Sequence, residues 1–211
     1  MRLWPLLVAL AMPCAALAQQ PPAPAEFRGV YASINMRPTQ DMVRRLGAAY
    51  GTDKRAAIRE VRENAAAHMP PVLYALASAL AEDYAEEAIF WYHVGRLRAV
   101  YDAMRSRDES ARTAVMLELR KRLNQDLRSA QFYRRERLPG IAQKAVDWDA
   151  KNPRNYDQRW IALYGTVAAS SPGTDADSLM LPESDWPAIL KRVHETHLKS
   201  VQDFSNEKKA N

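Results

Sequence analysis

The sequence predicts an all-α fold, in the form of an irregular array of about seven helices. Apolar residues recur three or four positions apart along most of the chain, which is the spacing of one helix face. Residues that begin or end helices stand between these segments, chiefly Thr, Asp, Ser, Gly and Pro. Because no series of alternating apolar and polar residues indicates a sheet, helices packed on helices are the expected architecture.

The first eighteen residues are typical of a secretory signal peptide. Arg2 precedes an apolar run over 3–17, and the small residues Ala16 and Ala18 stand at the −3 and −1 positions of a cleavage site. We therefore expect cleavage after Ala18 and export to the periplasm. Two alternatives stay open, a retained membrane anchor and a lipoprotein acylated at Cys14.

Cleavage after Ala18 would remove Cys14, which is the only cysteine of the chain. The mature protein would then have no disulfide and no thiolate metal ligand. No later apolar run approaches the length of a membrane span, so we expect a soluble protein without stable membrane insertion.

The chain carries a formal net charge of +5, and its densest basic groups lie at 120–122 and 134–137. One interpretation is an anionic partner such as a lipid headgroup, bound through 120–137. The other is the solvated face of helices, because acidic residues alternate with these basic ones. We favour the second interpretation. Nucleic acid is not expected, because basic and aromatic residues are not interleaved.

The predicted organisation has three parts after the signal peptide. Residues 19–26, "QQPPAPAE", form a Pro-rich tether. Residues 27–36 form an extended arm that packs on the body, so that 19–36 together are a tether and arm. Residues 37–207 form a single helical domain, which is long enough to bury a substantial core.

Capping and breaking residues place the helices. Thr39 can begin a helix that ends near Gly51, and Thr52 can begin the next one. Pro70 and Pro71 end that helix and suit the first turn of another. A further helix is predicted at 86–105, and another begins at Asp108 and continues through an apolar stripe that includes Leu119, Leu123 and Leu127. A helix is also predicted from Pro139, followed by a short helix before Gly165. The last helix is predicted to begin at Ser184, with Pro187 in its first turn.

The segment 86–105 has apolar residues on two faces, which predicts a helix with neighbours on both sides. Gly95 would let one of these neighbours approach closely. The alternative is a binding groove that uses Trp91, Tyr92 or Tyr101. His93 lies between the two stripes and is interpreted as a boundary residue.

Two stretches resemble Sel1-like and tetratricopeptide repeats. Residues 73–92, "LYALASALAEDYAEEAIFWY", contain Leu-x-x-Leu-Ala, a short break and Glu-Glu-Ala-Ile-x-Trp-Tyr. Residues 144–165 contain a Lys-Ala helix, an Asp-x-x-Asn-Pro turn and a following Trp, like the junction between two repeat units. The two stretches are separated by about 70 residues, which differs from one repeat length and favours an irregular array. The resemblance implies protein binding on a concave helical face.

Two polar clusters were considered as catalytic or metal sites. His194 and His197 lie three residues apart and could share a metal, but the zinc-protease motif needs a spacing of four and no third ligand is evident. The acidic group at 82–87 could perform acid–base chemistry, but it fits a helix N-terminus better. We therefore expect no catalytic residue, no metal and no cofactor.

The segment 152–160, "NPRNYDQRW", combines the residue types enriched at binding hot spots, which also serve to pin a loop. Pinning is the favoured interpretation, and partner contact is the alternative. The candidate partner-binding residues are Trp91, Tyr92, Tyr101, Arg154, Tyr156, Asp157, Arg159 and Trp160.

The function predicted from these features is that of an exported, soluble helical module that binds another protein. It could be an immunity-type protein that neutralises an effector delivered to the periplasm, or an envelope-assembly scaffold. The alternatives are a hydrolase acting on envelope material, with His93 or the pair His194 and His197 in its site, and a binder of anionic lipid.

Overall fold

The computed structural model describes residues 29–170 and 179–207. The predicted signal peptide and the Pro-rich tether lie outside the described residues, as do residues 171–178. The all-α prediction is confirmed, since the described part of the chain contains no strand and only one isolated β-bridge, between Ser106 and Met180. Its α-helices are α1 Arg37–Leu46, α2 Thr52–Glu63, α3 Pro70–Leu80, α4 Ala85–Arg105, α5 Glu109–Lys121, α6 Gln125–Tyr133, α7 Leu138–Lys151, α8 Thr166–Ser170 and α9 Trp186–Asn206.

Within these ranges there are nine α-helices, where about seven were predicted. The difference arises mainly because the helix predicted from Asp108 divides into α5 and α6. The side chain of Asn124 accepts a hydrogen bond from the backbone N–H of Leu127 at 3.0 Å and begins α6. Leu123 and Leu127 therefore lie on different sides of a break, although their spacing fits one stripe. None of the described helices is both long enough and apolar enough to cross a bilayer.

Three predicted N-cap residues are wrong and one is confirmed, while α3 begins at Pro70 as predicted. α1 begins before Thr39, which is buried inside the helix. Gly51 occupies the N-cap of α2 with a φ of 122°, a conformation that suits glycine, and Thr52 is the first helical residue. Ser184 lies in a 3-10 turn that precedes α9. Asp108 does cap α5, because its carboxylate accepts from the backbone N–H of Ser110 at 2.9 Å.

The N-terminal arm packs on the body as predicted, but it is not extended. Residues Gly29–Ser33 form a 3-10 helix, and the side chains of Tyr31 and Ile34 are buried in a hydrophobic cluster with residues of α4 and α5. The two buried side chains lie three residues apart, which places them on one face of a 3-10 helix.

α4 is the central helix, which confirms the prediction from its two apolar stripes. It contacts α3, α5, α6, α7 and α9. Val94 and Leu97 lie in the cluster formed with α1–α3, α7 and α9, whereas Ala99 and Ala103 lie in the second cluster, formed with α5 and the 3-10 helix Gln158–Tyr164. α3 approaches Gly95 so closely that a methyl group there would lie 3.1 Å from the Cβ atom of Leu73.

Candidate binding groove and buried ionic network

An open groove follows α4, with side chains of α5 on one side and side chains of α9 on the other. Its wider part has a volume of about 810 Å³, and a narrower part of about 240 Å³ continues it. The two parts share four lining residues, Arg96, Val100, His197 and Ser200. We call the two parts together the α4–α9 groove.

The charged side chains that line the α4–α9 groove are all arginines: Arg96, Arg112, Arg120 and Arg192. Among residues 29–170 and 179–207, no carboxylate lies within 4.0 Å of Arg96, Arg120 or Arg192. Arg112 donates to the carbonyl of Ser106 at 2.6 Å and lies 3.6 Å from the carboxylate of Glu109, so the unpaired charge is that of the other three arginines. The groove therefore carries positive charge that the described part of the protein does not neutralise.

Apolar side chains lie between and beside these arginines. Leu117 on α5 and Phe204 on α9 are 57% and 40% exposed, which is unusual for residues of their size. The guanidinium of Arg135 lies over the ring of Phe204 at 4.5 Å. Exposed apolar residues grouped in a concave, charged surface are typical of an interaction site.

A pair of buried histidines lies at the base of the groove. Nε2 of His197 and Nδ1 of His93 are 3.0 Å apart and share a hydrogen bond. Burial lowers the pKa of His197 to about 4, with a further contribution from the positive charge of Arg96, and it lowers the pKa of His93 well below its ordinary value. Both rings are therefore neutral at neutral pH.

The prediction that His93 is a boundary residue is wrong, because the ring is buried between α4 and α9. The position of His93 between the two apolar stripes of α4 indicates an exposed ring only if no other helix packs on that side of α4. The packing of α9 there could not be predicted from α4 alone. His197 is buried as well, and His194 is half-buried.

Behind the groove lies a buried network of charged and aromatic side chains, centred on Asp102 of α4 and Asp149 of α7. We call it the buried ionic network. Asp102 is fully buried and accepts hydrogen bonds from Nη2 of Arg105 at 2.7 Å, from the hydroxyl of Tyr156 at 2.9 Å and from Nε1 of Trp160 at 2.9 Å. Burial raises the pKa of Asp102, and the charge of Arg105 opposes that rise.

Asp149 joins α7 to three other parts of the chain. Its carboxylate accepts from Nε of Arg98 on α4 at 3.1 Å, from Arg154 in the loop after α7, and from Nε2 of His194 on α9 at 2.9 Å. Burial opposes ionisation of Asp149, but the His194 hydrogen bond and the two guanidinium charges outweigh it and lower the pKa of Asp149. Arg98 also donates to both backbone carbonyls at 152–153.

Aromatic rings cover the guanidinium groups of this network. The guanidinium carbon of Arg105 lies 4.1 Å from the ring centre of Tyr101 and 4.4 Å from that of Trp186, so the group is held between two rings. Arg98 lies 4.8 Å from the ring centre of Trp148. Several nitrogens of the two arginines have no hydrogen-bond acceptor among the described residues, and the ring faces provide part of the missing stabilisation.

Four predicted partner-binding residues belong to the buried ionic network: Tyr101, Arg154, Tyr156 and Trp160. Trp160 has no exposed surface, and Tyr101 is 6% exposed. Their contacts attach the segment after α7 to α4. Such contacts are those of a pinned loop, which was the favoured interpretation of this segment.

The structure places the other four predicted residues elsewhere. Asp157 accepts three hydrogen bonds from Arg159, from its backbone N–H at 3.0 Å, from Nε at 2.9 Å and from Nη2 at 2.7 Å. Trp91 is buried beside α7 and donates to Glu87 at 3.1 Å. Tyr92 is half-buried and lines the α4–α9 groove. Contact with a partner stays a prediction for all eight residues.

Sequence reasoning missed the charged residues Arg98, Asp102, Arg105 and Asp149. A usable signal was present, because Arg98, Asp102 and Arg105 lie three or four residues apart on a helix predicted to be surrounded by neighbours. Charged residues at that spacing on such a helix must find buried partners.

The acidic group lies at the N-terminus of α4, as predicted, with Glu86 and Glu87 in the first turn. It does not cap the helix, since Tyr84 is the N-cap and no side chain accepts there. Both glutamates also bind arginines. Glu87 accepts two hydrogen bonds from Arg62, and Glu86 pairs with Arg137. These contacts attach α4 to α2 and to the turn before α7.

The histidines considered for a hydrolase are divided between two places. His194 meets the carboxylate of Asp149 but does not line the groove, whereas His197 lines the groove and meets His93. Among residues 29–170 and 179–207, no group of three or more His, Cys, Asp or Glu side chains is arranged to hold a metal ion.

Comparison with family models, with curated proteins and with solved structures finds no match for this chain.

Proposed function

We propose that this protein is an exported helical module that binds another protein in the α4–α9 groove. The observation that carries the proposal is the composition of the groove, where the exposed apolar residues Leu117 and Phe204 lie among four arginines, three of which have no carboxylate partner in the described residues. Apolar residues supply the area that favours association, and charged residues around them set the choice of partner.

Two forms of this function fit an exported protein with such a groove. One is an immunity-type protein that neutralises an effector delivered to the periplasm. The other is a scaffold that assists envelope assembly. The local resemblance to Sel1-like and tetratricopeptide repeats supports binding of a protein in either case.

Photo-crosslinking in the native cells tests the proposal directly. A photoreactive phenylalanine analogue replaces Leu117 in the groove of the full-length chain. A matched variant carries it at Tyr50, which is 88% exposed in the turn between α1 and α2 and lines neither part of the groove. Irradiation should give a protein adduct of one defined mass from position 117 and not from position 50.

Equal adducts from the two positions would contradict a partner in the groove, and the absence of an adduct from position 117 would refute a resident partner in those cells. An immunity-type role has a further test, because adding the producing strain's secreted effectors should then create the adduct.

Export is tested on the same material. N-terminal sequencing of the protein from the periplasmic fraction should begin at Gln19, the residue after the proposed cleavage site. A chain that begins at Met1 or that carries a lipid at Cys14 would overturn the proposed cleavage.

A further inference from the structure

We infer that the α4–α9 groove receives an acidic amphipathic helix of the partner protein. The inference rests on the proposed function and specifies the chemistry of the segment that binds. It is carried by two independent properties of the groove, its length and the sign of its charge.

The length of the groove matches a short helix. Its lining residues run over 92–104 on α4 and over 192–204 on α9, which are twelve residue steps in each case. At 1.5 Å per residue, the floor of the groove on α4 and its wall on α9 are each about 18 Å long, the length of a helix of about twelve residues. The two helices run in opposite directions along it, because His93 of α4 meets His197 of α9 and Arg98 and His194 meet the same carboxylate.

The apolar residues of the groove suit one face of that helix. Val100 lies near its middle and lines both parts, and Leu117 and Phe204 stand at its edges. A helix laid into such a groove buries apolar residues at i, i+3, i+4 and i+7. A long, open groove offers this contact along its whole length, whereas a small molecule needs an enclosed cavity.

The positive charge of the groove determines which residues are favoured beside the apolar face of the bound helix. Arg96 lies where the two parts meet, while Arg120 and Arg192 are exposed on opposite walls. No carboxylate lines either part. Asp or Glu residues beside the apolar face of the partner helix would pair with these guanidinium groups, whereas Lys or Arg residues would be repelled.

A peptide-display selection tests this inference. The probe is a library of 15-residue helices with a fixed Leu stripe, in which each flanking position encodes Asp, Asn or Lys. The bait is the mature chain, residues 19–211. Selection should enrich Asp over Lys at the flanking positions, and the best peptide should bind as a helix by circular dichroism.

Two variants of equal net charge locate the binding site. Arg120→Gln with Arg192→Gln removes two arginines of the groove that have no ion pair among the described residues. Arg55→Gln with Arg59→Gln removes two exposed arginines of α2, which line neither part of the groove. The dissociation constant of the selected peptide should rise about fivefold in the groove variant and less than twofold in the α2 variant.

Enrichment of Lys or Asn, no enrichment at all, or equal weakening in both variants would overturn the inference. Binding of the mature chain to phosphatidylglycerol vesicles without selection of acidic helices would overturn it in favour of an anionic lipid surface. These results differ from failure of the proposed function, which is the absence of a protein adduct at position 117 whatever peptides the groove selects.

Discussion

Replacing Asp102 with Asn should destabilise the protein more than any exchange of similar size on its surface. The carboxylate accepts from Arg105, Tyr156 and Trp160 at distances of 2.7, 2.9 and 2.9 Å and is fully buried. An Asn side chain keeps one acceptor oxygen and turns an amide donor toward another donor. One buried donor loses its acceptor, and the charge of Arg105 loses its counter-ion.

The expected loss in the free energy of unfolding is about 3–5 kcal/mol, because that is the usual cost of leaving one buried charge without its partner. For a chain of this size, each kcal/mol corresponds to a fall of about 2–4 °C in Tm. The Tm of Asp102→Asn should therefore fall by roughly 6–20 °C. Urea unfolding of the mature chain, followed by far-ultraviolet circular dichroism, measures the free energy, and a thermal scan measures Tm.

The matched control is Asp203→Asn on α9. Asp203 pairs with Lys199 at 3.0 Å, but the two side chains are 63% and 77% exposed. This pair lies in water, so its loss should change the free energy by at most about 0.5 kcal/mol.

A second variant separates the buried charge from the altered packing. Asp102→Asn combined with Arg105→Met removes the uncompensated cation, so it should recover part of the stability lost in the single variant. If Asp102→Asn costs less than about 1 kcal/mol, or no more than the Asp203 control, the reasoning about the buried ionic network is refuted.

Two further outcomes follow from the structure. The pKa of His197 is about 4 in the folded state and 6.5 for an ordinary histidine, so the unfolded chain binds more protons between these pH values. The contribution of His197 to the free energy of unfolding should therefore be complete above pH 6.5. It should fall by about 3 kcal/mol as the pH drops toward 4. Urea titrations at several pH values should show this fall, and His93 should add to it in the same direction. His197→Gln should reduce the pH dependence of the free energy of unfolding by about one proton. An unchanged pH dependence would contradict a buried, neutral His197. A methyl group at Gly165 would lie 1.8 Å from Oδ2 of Asp108, so Gly165→Ala should displace the cap of α5 and cost about 1–2 kcal/mol or more by urea unfolding. Gly140→Ala on α7, where nothing lies within 4 Å, should be neutral or stabilising, and equal effects at the two glycines would argue against the contact.

The arrangement of helices was predictable wherever a local pattern specified it. The two apolar stripes of 86–105 identified α4 as the central helix, and Asp108 was correctly identified as a cap because its carboxylate reaches a backbone N–H two residues away. Thr39 and Ser184 were wrongly identified as helix caps. Pro38 and Pro187 lie in the first turns of α1 and α9, and neither helix has a side-chain cap. Proline presets the φ angle of a first turn and can begin a helix by itself.

The candidate site was predictable only in part, because its residues meet through packing between distant segments. Tyr92 was identified on the correct helix, and it lines the groove. Arg96, Arg120 and Arg192 looked like ordinary solvated charges, and nothing in their local sequence shows that α5 and α9 flank the same face of α4. Trp160 was recognised as an anchor residue, but its acceptor, Asp102, lies 58 residues away.

Several contacts of the buried polar groups join segments far apart in the chain. Arg98 and Asp149 are 51 residues apart in the sequence, and Asp102 and Trp160 are 58 apart. The two histidines at the base of the groove are 104 apart. During synthesis, α4 emerges before α7, and until Asp149 on α7 arrives the guanidinium of Arg98 gains nothing from leaving water. We therefore expect α4 to be buried only after most of the chain has been made. A protein export channel requires an extended polypeptide, so such a delay would suit the export that we propose.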